Sequence, residues 1–381
     1  MKAAIIGTGE AGYTRHPRPD QNTHTFLRDA VVSALKDARL KPSDIDGLAI
    51  CSFSIDPDKA VDMAWRFGLS LRWLLHDTNG GASGMNMLGH AIRGIEAGAA
   101  SNIVIVSGDA LNAEQVAKVS SNYNRAIRDH VAPLGHSGPN SLFALLTQRQ
   151  MKAYGLTRQD YGHIAVAQRA WAADNPGAVY RQPLTMEEYL ASPMVADPLT
   201  RFDCVPSCCG ASALVVSTAD RCPPDRKPVH VRALRQSFNY DNQEGEGLKT
   251  GLSKVANDLW AAAGVGPDEI DLASIYDDYP AMVLAQLNDL KMIPGNDLAR
   301  FSRVTIGEQR FPLNTSGGLL SAGQAGAAGG LNGTIEAVRQ LHRRAGDRQV
   351  PDARLAVVSG YGMVVYRYGA CAGAAVLERA S

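Results

Sequence analysis

The chain lacks a surplus of charge: 38 Lys and Arg residues balance 38 Asp and Glu over 381 positions. No basic block interrupts that balance, so the electrostatic footprint of a nucleic-acid or anionic-membrane binder is missing. Long apolar runs are missing too, since nothing approaches the roughly 18 consecutive apolar residues of a membrane span. The opening MKAAIIGTGEAG has one Lys and a short apolar strand but no leader-type apolar region, and the expectation is a cytoplasmic protein with no membrane span. Cysteine is scarce. Cys51, Cys204, Cys208, Cys209, Cys222 and Cys371 are expected to be free thiols rather than a disulfide framework. Cys204-x-x-x-Cys208-Cys209 fits no common zinc spacing and has no second Cys/His pair nearby, so no metal is expected. Gly7–Gly12 has G-x-G-x-x-G spacing, but no acidic residue ends a second strand about 20 residues on, as a dinucleotide fold requires.

What is present is 45% hydrophobic content, ample for one large or two medium cores, and an internal repeat. Pro42-Ser-Asp-Ile-Asp-Gly-Leu-Ala-Ile50 in the first half answers Pro267-Asp-Glu-Ile-Asp-Leu-Ala-Ser-Ile275 in the second. Each is followed by a glycine-rich elbow that opens a helix: Thr78–Gly84 (TNGGASG), and Asn314–Gly330 (NTSGGLLSAGQAGAAGG) with six glycines. Glycine permits close backbone approach and positive φ, and the N-terminal end of the helix after each elbow favours a carbonyl or phosphate oxygen. A matching strand follows each helix, ending at Gly108 and Gly360. Periodicity places the opening β-α-β in a strand near Ala3–Ile6, a helix near Thr25–Ala38 and a strand ending at Cys51. Between Gly108 and Ser217 the pattern breaks into an insertion with amphipathic helices near Leu142–Tyr154 and Arg158–Asp174, of a length that usually covers a site. The second half is expected to run through a strand near Val229–Ala233, a helix near Leu248–Ala263 and a strand ending at Tyr276. These boundaries predict an α/β protein with an N-terminal half over 1–220, including a loop domain over about 110–207, and a C-terminal half over 221–381.

With two repeated β-α-β halves, the inserted NPGAVYRQPLTMEEYL and MVADPLTRFDC, the elbow NTSGGLLSAG and the terminal RQVPDARLAVVSG, the whole chain resembles the thiolase superfamily, and more narrowly its sterol-carrier-protein/lipid-transfer branch. The resemblance implies the thiolase fold, a five-layered αβαβα sandwich that dimerises through its central region and takes acyl thioesters of coenzyme A as substrates, with no further cofactor. The chemistry departs from the family residue by residue. The family's C-A-S-G elbow, with its nucleophilic Cys, reads Gly81-Ala82-Ser83-Gly84. Its G-H-P reads Gly323-Gln324-Ala325, an amide in place of imidazole. The branch's H-D-C-F reads Tyr276-Asp277-Asp278-Tyr279.

These substitutions remove acyl transfer to an enzyme thiol and keep the means to hold an enolate. Asn314, Gln324 and elbow N–H groups around Gly81, Ser83 and Gly323 are candidates for the oxygen-binding pocket. Tyr276 and Asp278 are candidates for proton transfer, with Tyr361 and Tyr366 from the C-terminal SGYGMVVYRYGACAG. If the strand continues through its loop, Tyr276 and Asp278 share a face and Asp277 points away, as a structural residue. Retro-aldol cleavage of a β-hydroxyacyl-CoA needs such an enolate and no covalent carrier. Members of this branch without the Cys resemble side-chain aldolases of steroid degradation, which implies a small OB-fold partner carrying a zinc ribbon. Two alternatives stand beside this: an acyltransferase using another thiol, such as Cys209 or Cys371, and a non-catalytic acyl-CoA-binding subunit.

Overall fold

The computed structural model describes residues 2–136 and 138–380. The first half runs β1 (Ala3–Glu10), α1 (Thr23–Ala38), β2 (Gly47–Cys51), α2 (Ala60–Arg66), β3 (Trp73–His76), α3 (Ser83–Glu96) and β4 (Asn102–Asp109). The insertion carries α4 (Ala113–Ser121), α5 (Pro139–Tyr154), α6 (Arg158–Ala173), α7 (Met186–Ala191) and a small hairpin of β5 (Met194–Ala196) and β6 (Leu199–Thr200), before β7 (Gly210–Thr218) closes the half. The second half follows as β8 (Val229–Phe238), α8 (Leu252–Ala263), β9 (Leu272–Ser274), α9 (Pro280–Asp289), α10 (Leu298–Arg300), α11 (Gly318–Ala322), α12 (Gly329–Leu341), β10 (Leu355–Val364) and β11 (Gly369–Arg379).

The strands lie in the order β3-β2-β4-β7-β1-β8-β11-β10-β9, which reads as the repeat carried out in space. From the outer edge inward, the first half has two parallel pairings (β3–β2, β2–β4) and then two antiparallel ones (β4–β7, β7–β1). The second half repeats this with β9–β10 parallel, then β10–β11 and β11–β8 antiparallel. A parallel bridge from Ala273 to Leu313 stands where β3 stands in the first half. The halves meet at one registered pair, Ile5 with Val229. Sequence periodicity reads each half as separate; this central pairing joins them into one continuous sheet.

Side-chain alternation along the strands then builds the layers. On β4, Ile103 and Ile105 face the middle of the molecule while Val104 and Val106 face the outer layer over α1. On β11, Ala375 and Leu377 face the middle while Ala374 and Val376 face α8 and α9. Between the two half-sheets lie α3 and α12, packed on each other and on strands of both halves. The order from outside to outside is therefore helix, sheet, helix pair, sheet, helix: the thiolase-type five-layered sandwich. The central helices cross on glycine. A Cβ on Gly84 would lie 1.8 Å from the Gly330 carbonyl oxygen, and one on Gly330 would lie 2.9 Å from the Gly81 carbonyl oxygen.

Backbone stands against backbone here, so neither helix can retreat into flexible side chains. Gly84→Ala is expected to cost at least the ~1–3 kcal/mol of ordinary overpacking, measured as a fall in the urea midpoint at unchanged m-value. An unaltered midpoint would show that the two helices stand farther apart.

Candidate active site

The first elbow is a single 3₁₀ turn, Gly80–Ala82, running into α3. It is stitched from inside by the buried Asp77, whose carboxylate accepts from Asn79 N at 2.7 Å, from the Ser83 hydroxyl and from the Asn86 amide. Ser83 is fully buried and committed to this role, so it does not face a ligand. Gly81 lies on the wall of a cavity of about 330 Å³.

The loop after β9 brings the other half to the same place. The regular strand ends at Ser274, earlier than the sequence pattern indicates, because the side-chain amide of Asn314 takes over the pairing. Its oxygen accepts from Ile275 N at 2.7 Å and its nitrogen donates to Ile275 O at 2.9 Å. Asn314 therefore spends both ends of its amide on backbone, at a positive φ of 50°, and it leaves the oxygen-binding pocket for a structural position. Gln286 donates to the Tyr276 carbonyl at 2.7 Å, and Tyr276 N donates to the Ser359 hydroxyl at 3.1 Å. With its main chain held on both sides, Tyr276 has one direction to point.

That direction ends at Gly81. A Cβ there would lie 2.4 Å from both the ring tip and the hydroxyl oxygen of Tyr276, and 2.3 Å from the Tyr361 carbonyl. The phenol thus fills the space that a side chain at Gly81 would need. Gln324 Nε2 donates to the Tyr276 hydroxyl oxygen at 2.9 Å, which leaves the phenolic proton free to point elsewhere. Burial, ahead of the charges of Asp278, Tyr123 and Asp277, holds this phenol well above its ordinary value of 10. It is a neutral hydrogen-bond donor, not a base.

Asp277 and Asp278 part company despite the loop. Asp277 turns inward and accepts from Leu319 N at 2.9 Å and Leu320 N at 3.2 Å at the start of α11; burial raises it to about 8. Asp278 turns onto the cavity wall with Tyr276, and its Oδ1 has no hydrogen-bond partner among the described residues. Burial first, then the neighbouring Asp277, holds Asp278 well above the carboxylate range. Its basicity is raised in the way a proton-transfer group requires.

Gly81, Tyr276, Asp278 and Gln324 are therefore brought together. Gly323 lies behind them in a turn at φ 113°, where a Cβ would meet the Cys208 sulfur at 2.8 Å. Tyr361 is 2% exposed and sits in strand β10, its hydroxyl accepting from Gly369 N at 2.6 Å, so it is a packing residue outside the cavity wall. Tyr366 is displaced outward, 41% exposed and edge-on to His130. The segment around them is a β-hairpin whose Gly362, Met363 and Val364 line the cavity, and pairing fixes which tyrosines turn inward. Tyr123, from the insertion, is a site residue that sequence reasoning missed. It lines the cavity, its oxygen accepts from Met363 N, and Asp278 and Tyr276 lie within its electrostatic reach. No motif surrounds it, and its polar loop gave no signal. Tyr279 donates to Asn140 at 2.6 Å and stacks on Phe143 at 4.5 Å, tying the insertion to the floor of the site.

Cys204 and Cys208 also line the cavity, yet burial pushes the Cys204 thiol up to about 12 and Cys208 higher still. Cys371 is raised to about 11 and Cys209 is raised as well. Since the thiolate is the nucleophile, none of these is poised to attack a thioester. Among the described residues no three His, Cys, Asp or Glu side chains gather as metal ligands, and no helix is long and apolar enough to cross a membrane.

Restoring a thiol at the elbow should fail for steric reasons. Gly81→Cys is expected to lose about 1–3 kcal/mol of stability and to form no acyl-enzyme by intact-protein mass spectrometry. A stable variant that carries an acyl adduct would show that Tyr276 does not occupy this space.

Residues 238–378 match the family described as thiolase C-terminal domain-like. Over 363 residues the chain is 30% identical to 17-hydroxy-3-oxo-4-pregnene-20-carboxyl-CoA lyase of Mycobacterium tuberculosis, covering 89% of this chain and 91% of that one. It is 28% identical to the steroid side-chain-cleaving aldolase of Thermomonospora curvata, covering 95% of each. The solved structure of an Ltp2-ChsH2(DUF35) aldolase superposes with a TM-score of 0.84 at 26% identity, over 99% of this chain and 98% of that one.

Proposed function

The chain belongs to the thiolase superfamily, in its sterol-carrier-protein-like branch, and from that premise we propose that it is a carbon–carbon lyase. It cleaves a β-hydroxyacyl-CoA by retro-aldol chemistry, releasing a ketone or aldehyde and a shorter acyl-CoA. The observation that carries this reading is the exchange at the elbow: a neutral phenol, hydrogen-bonded by Gln324, stands where a nucleophile would be, and Asp278, with one carboxyl oxygen unpaired among the described residues, lines the same cavity.

In this proposal Asp278 takes the proton of the β-hydroxyl, and the O–H electron pair becomes the π bond of the departing carbonyl. The Cα–Cβ pair moves onto the thioester as an enolate, whose oxygen accepts from the Tyr276 hydroxyl and the second amide hydrogen of Gln324. The proton on Asp278 then returns to Cα, so no acceptor thiol is consumed. Tyr123 supplies a further hydroxyl beside the elbow, where a Cβ on Gly80 would lie 3.0 Å from it. The insertion's Val116, Val119, Ile127 and Leu142 give the cavity an apolar side, suited to the ring system that kinship with steroid side-chain lyases suggests.

Assembly is part of the same proposal. Edge strand β3 has one unpaired side, and the exposed Val61, Trp65 and Leu74 around it support a homodimer through this outer edge rather than through the central region that the resemblance implies. The exposed Leu145, Met194 and Val195 of the insertion support a small OB-fold, zinc-ribbon partner on that face. CoA thioester chemistry of this kind fits a cytoplasmic enzyme.

Tyr276→Phe removes one oxygen and is expected to lower kcat by about two orders of magnitude at nearly constant KM; Asp278→Asn should do the same. The double variant should cost less than the product of the singles, because the two act in one relay. Normal turnover in both would overturn the assignment. Tyr123→Phe should lower kcat about tenfold or more, and an unchanged rate would remove Tyr123 from the site.

The pH profile supplies a second check. Asp278 must be deprotonated to act as base, and its pKa is raised, so kcat/KM should fall as pH drops through a value well above the usual carboxylate range. An acid limb near 4, the ordinary value for a carboxyl, would contradict a buried base.

A further inference from the structure

Asp109, the last residue of β4, is fully buried and lies outside the cavity wall, yet both of its carboxylate oxygens are engaged. We propose that it is a positioning residue for Gln324, reaching from the first half of the chain to set the amide that the second half presents. The inference rests on the lyase reading, in which that amide donates to the enolate oxygen.

One oxygen is fixed by its own half. Oδ1 accepts from the Ser52 hydroxyl at 2.7 Å, from Phe53 N at 2.8 Å and from the Ser54 hydroxyl at 2.6 Å, all in the loop that follows β2. Ser54 is itself braced, its oxygen lying 2.7 Å from that of Thr23 at the start of α1, and Thr23 Oγ1 accepts from Ala110 N at 3.0 Å. The other oxygen holds the second half. Oδ2 accepts from Ala327 N at 2.8 Å, and it lies so close to Gly326, at φ 53°, that a Cβ there would be 2.1 Å from it. Burial raises this carboxyl to about 6, against the pull of its four donors, so it is an anion at neutral pH.

Gln324 stands two residues before Gly326. Its backbone pairs with the insertion, Gln324 N donating to Pro206 O at 3.2 Å and Cys208 N to Gln324 O at 3.3 Å. Its side chain runs over the first residue of α12, where a Cβ on Gly329 would lie 3.2 Å from Cγ and Nε2, and ends on the Tyr276 hydroxyl. Asp109 holds the backbone between these points, at Gly326 and Ala327. An amide aimed by a glycine-rich turn is only as well placed as that turn, since glycine brings freedom and no anchor. The anchor must be acceptor-only, because four donors converge on it, and an amide of the same shape offers one acceptor oxygen and an NH2. In Asp109→Asn the oxygen goes to the three donors of the Phe53 loop, and the NH2 is left against Ala327 N–H, donor against donor.

The test compares Asp109→Asn, Gln324→Ala and the double variant for turnover of a panel of β-hydroxyacyl-CoA thioesters, with amide hydrogen exchange of each protein read by mass spectrometry. Exchange across residues 324–328 should rise in Asp109→Asn while native circular dichroism is retained. Its kcat should fall about tenfold at nearly constant KM, because a misplacement of about 1 Å set far from the chemistry costs up to about 100-fold. The double variant should turn over no more slowly than Gln324→Ala alone, since an absent amide cannot be misplaced, whereas a purely structural anchor would multiply the two losses. Where Asp109→Asn fails to fold, Ser52→Ala with Ser54→Ala, both half-buried, loosens the same carboxylate, and the same dependence on Gln324 is expected. Unchanged exchange across 324–328, full kcat in Asp109→Asn, or losses that multiply each overturn the inference and leave the lyase reading standing. Normal turnover in Gln324→Ala, or a chain that cleaves none of the panel, overturns the reading of the site itself and this role with it.

Discussion

The absence of a side chain at Gly81 is the constraint on which the site depends. Because nothing projects from the elbow, the Tyr276 ring can come up to the backbone and put its hydroxyl where a nucleophile would stand. Because Tyr276 is there, a side chain can no longer return, and the thiols left in the cavity are buried into inertness. One missing Cβ thus decides both what the site excludes and what it presents. The same economy brings α3 to α12, since the contact of Gly84 with Gly330 has no room for any other residue and sets the spacing of the whole middle layer.

Buried carboxylates hold the glycine-rich turns in shape. Asp77 ties the first elbow, Asp277 the start of α11, and Asp109 the turn before α12 by accepting from Ala327 N at 2.8 Å. Glycine supplies conformational freedom but no anchoring, and a carboxylate with several N–H and O–H donors supplies the anchoring. Against these three, Asp278 stands out as a cavity-lining residue with one carboxyl oxygen left unpaired among the described residues. The contrast within one loop separates structural from chemical acid more clearly than residue type can.

Much of the fold was legible because its causes are periodic. The P-x-[D/E]-I-D repeat, the paired elbows and the strands after them are written in alternation and helical spacing, and the pairing order of the two half-sheets repeats them. The continuity of the sheet was not legible, since it rests on one pair, Ile5 with Val229, and no local pattern announces a single pair. In the site, Tyr276 and Asp278 could be paired by alternation, and they keep a common side even though the strand has stopped at Ser274. Asn314 and Tyr361 looked equally suited to chemistry by residue type, but hydrogen bonds to Ile275 and Gly369 commit them elsewhere. Tyr123 reaches the site only through the path of the insertion, which no spacing encodes.

The most direct measurement is mass spectrometry of both protein and products when the enzyme turns over a β-hydroxyacyl-CoA in deuterated water without added free CoA. A retro-aldol lyase built on Tyr276 and Asp278 releases a ketone or aldehyde and a shorter acyl-CoA carrying one solvent deuteron at Cα, and its own mass stays unchanged. Cleavage that waits for free CoA, or an acyl group found on a cysteine, would contradict that chemistry.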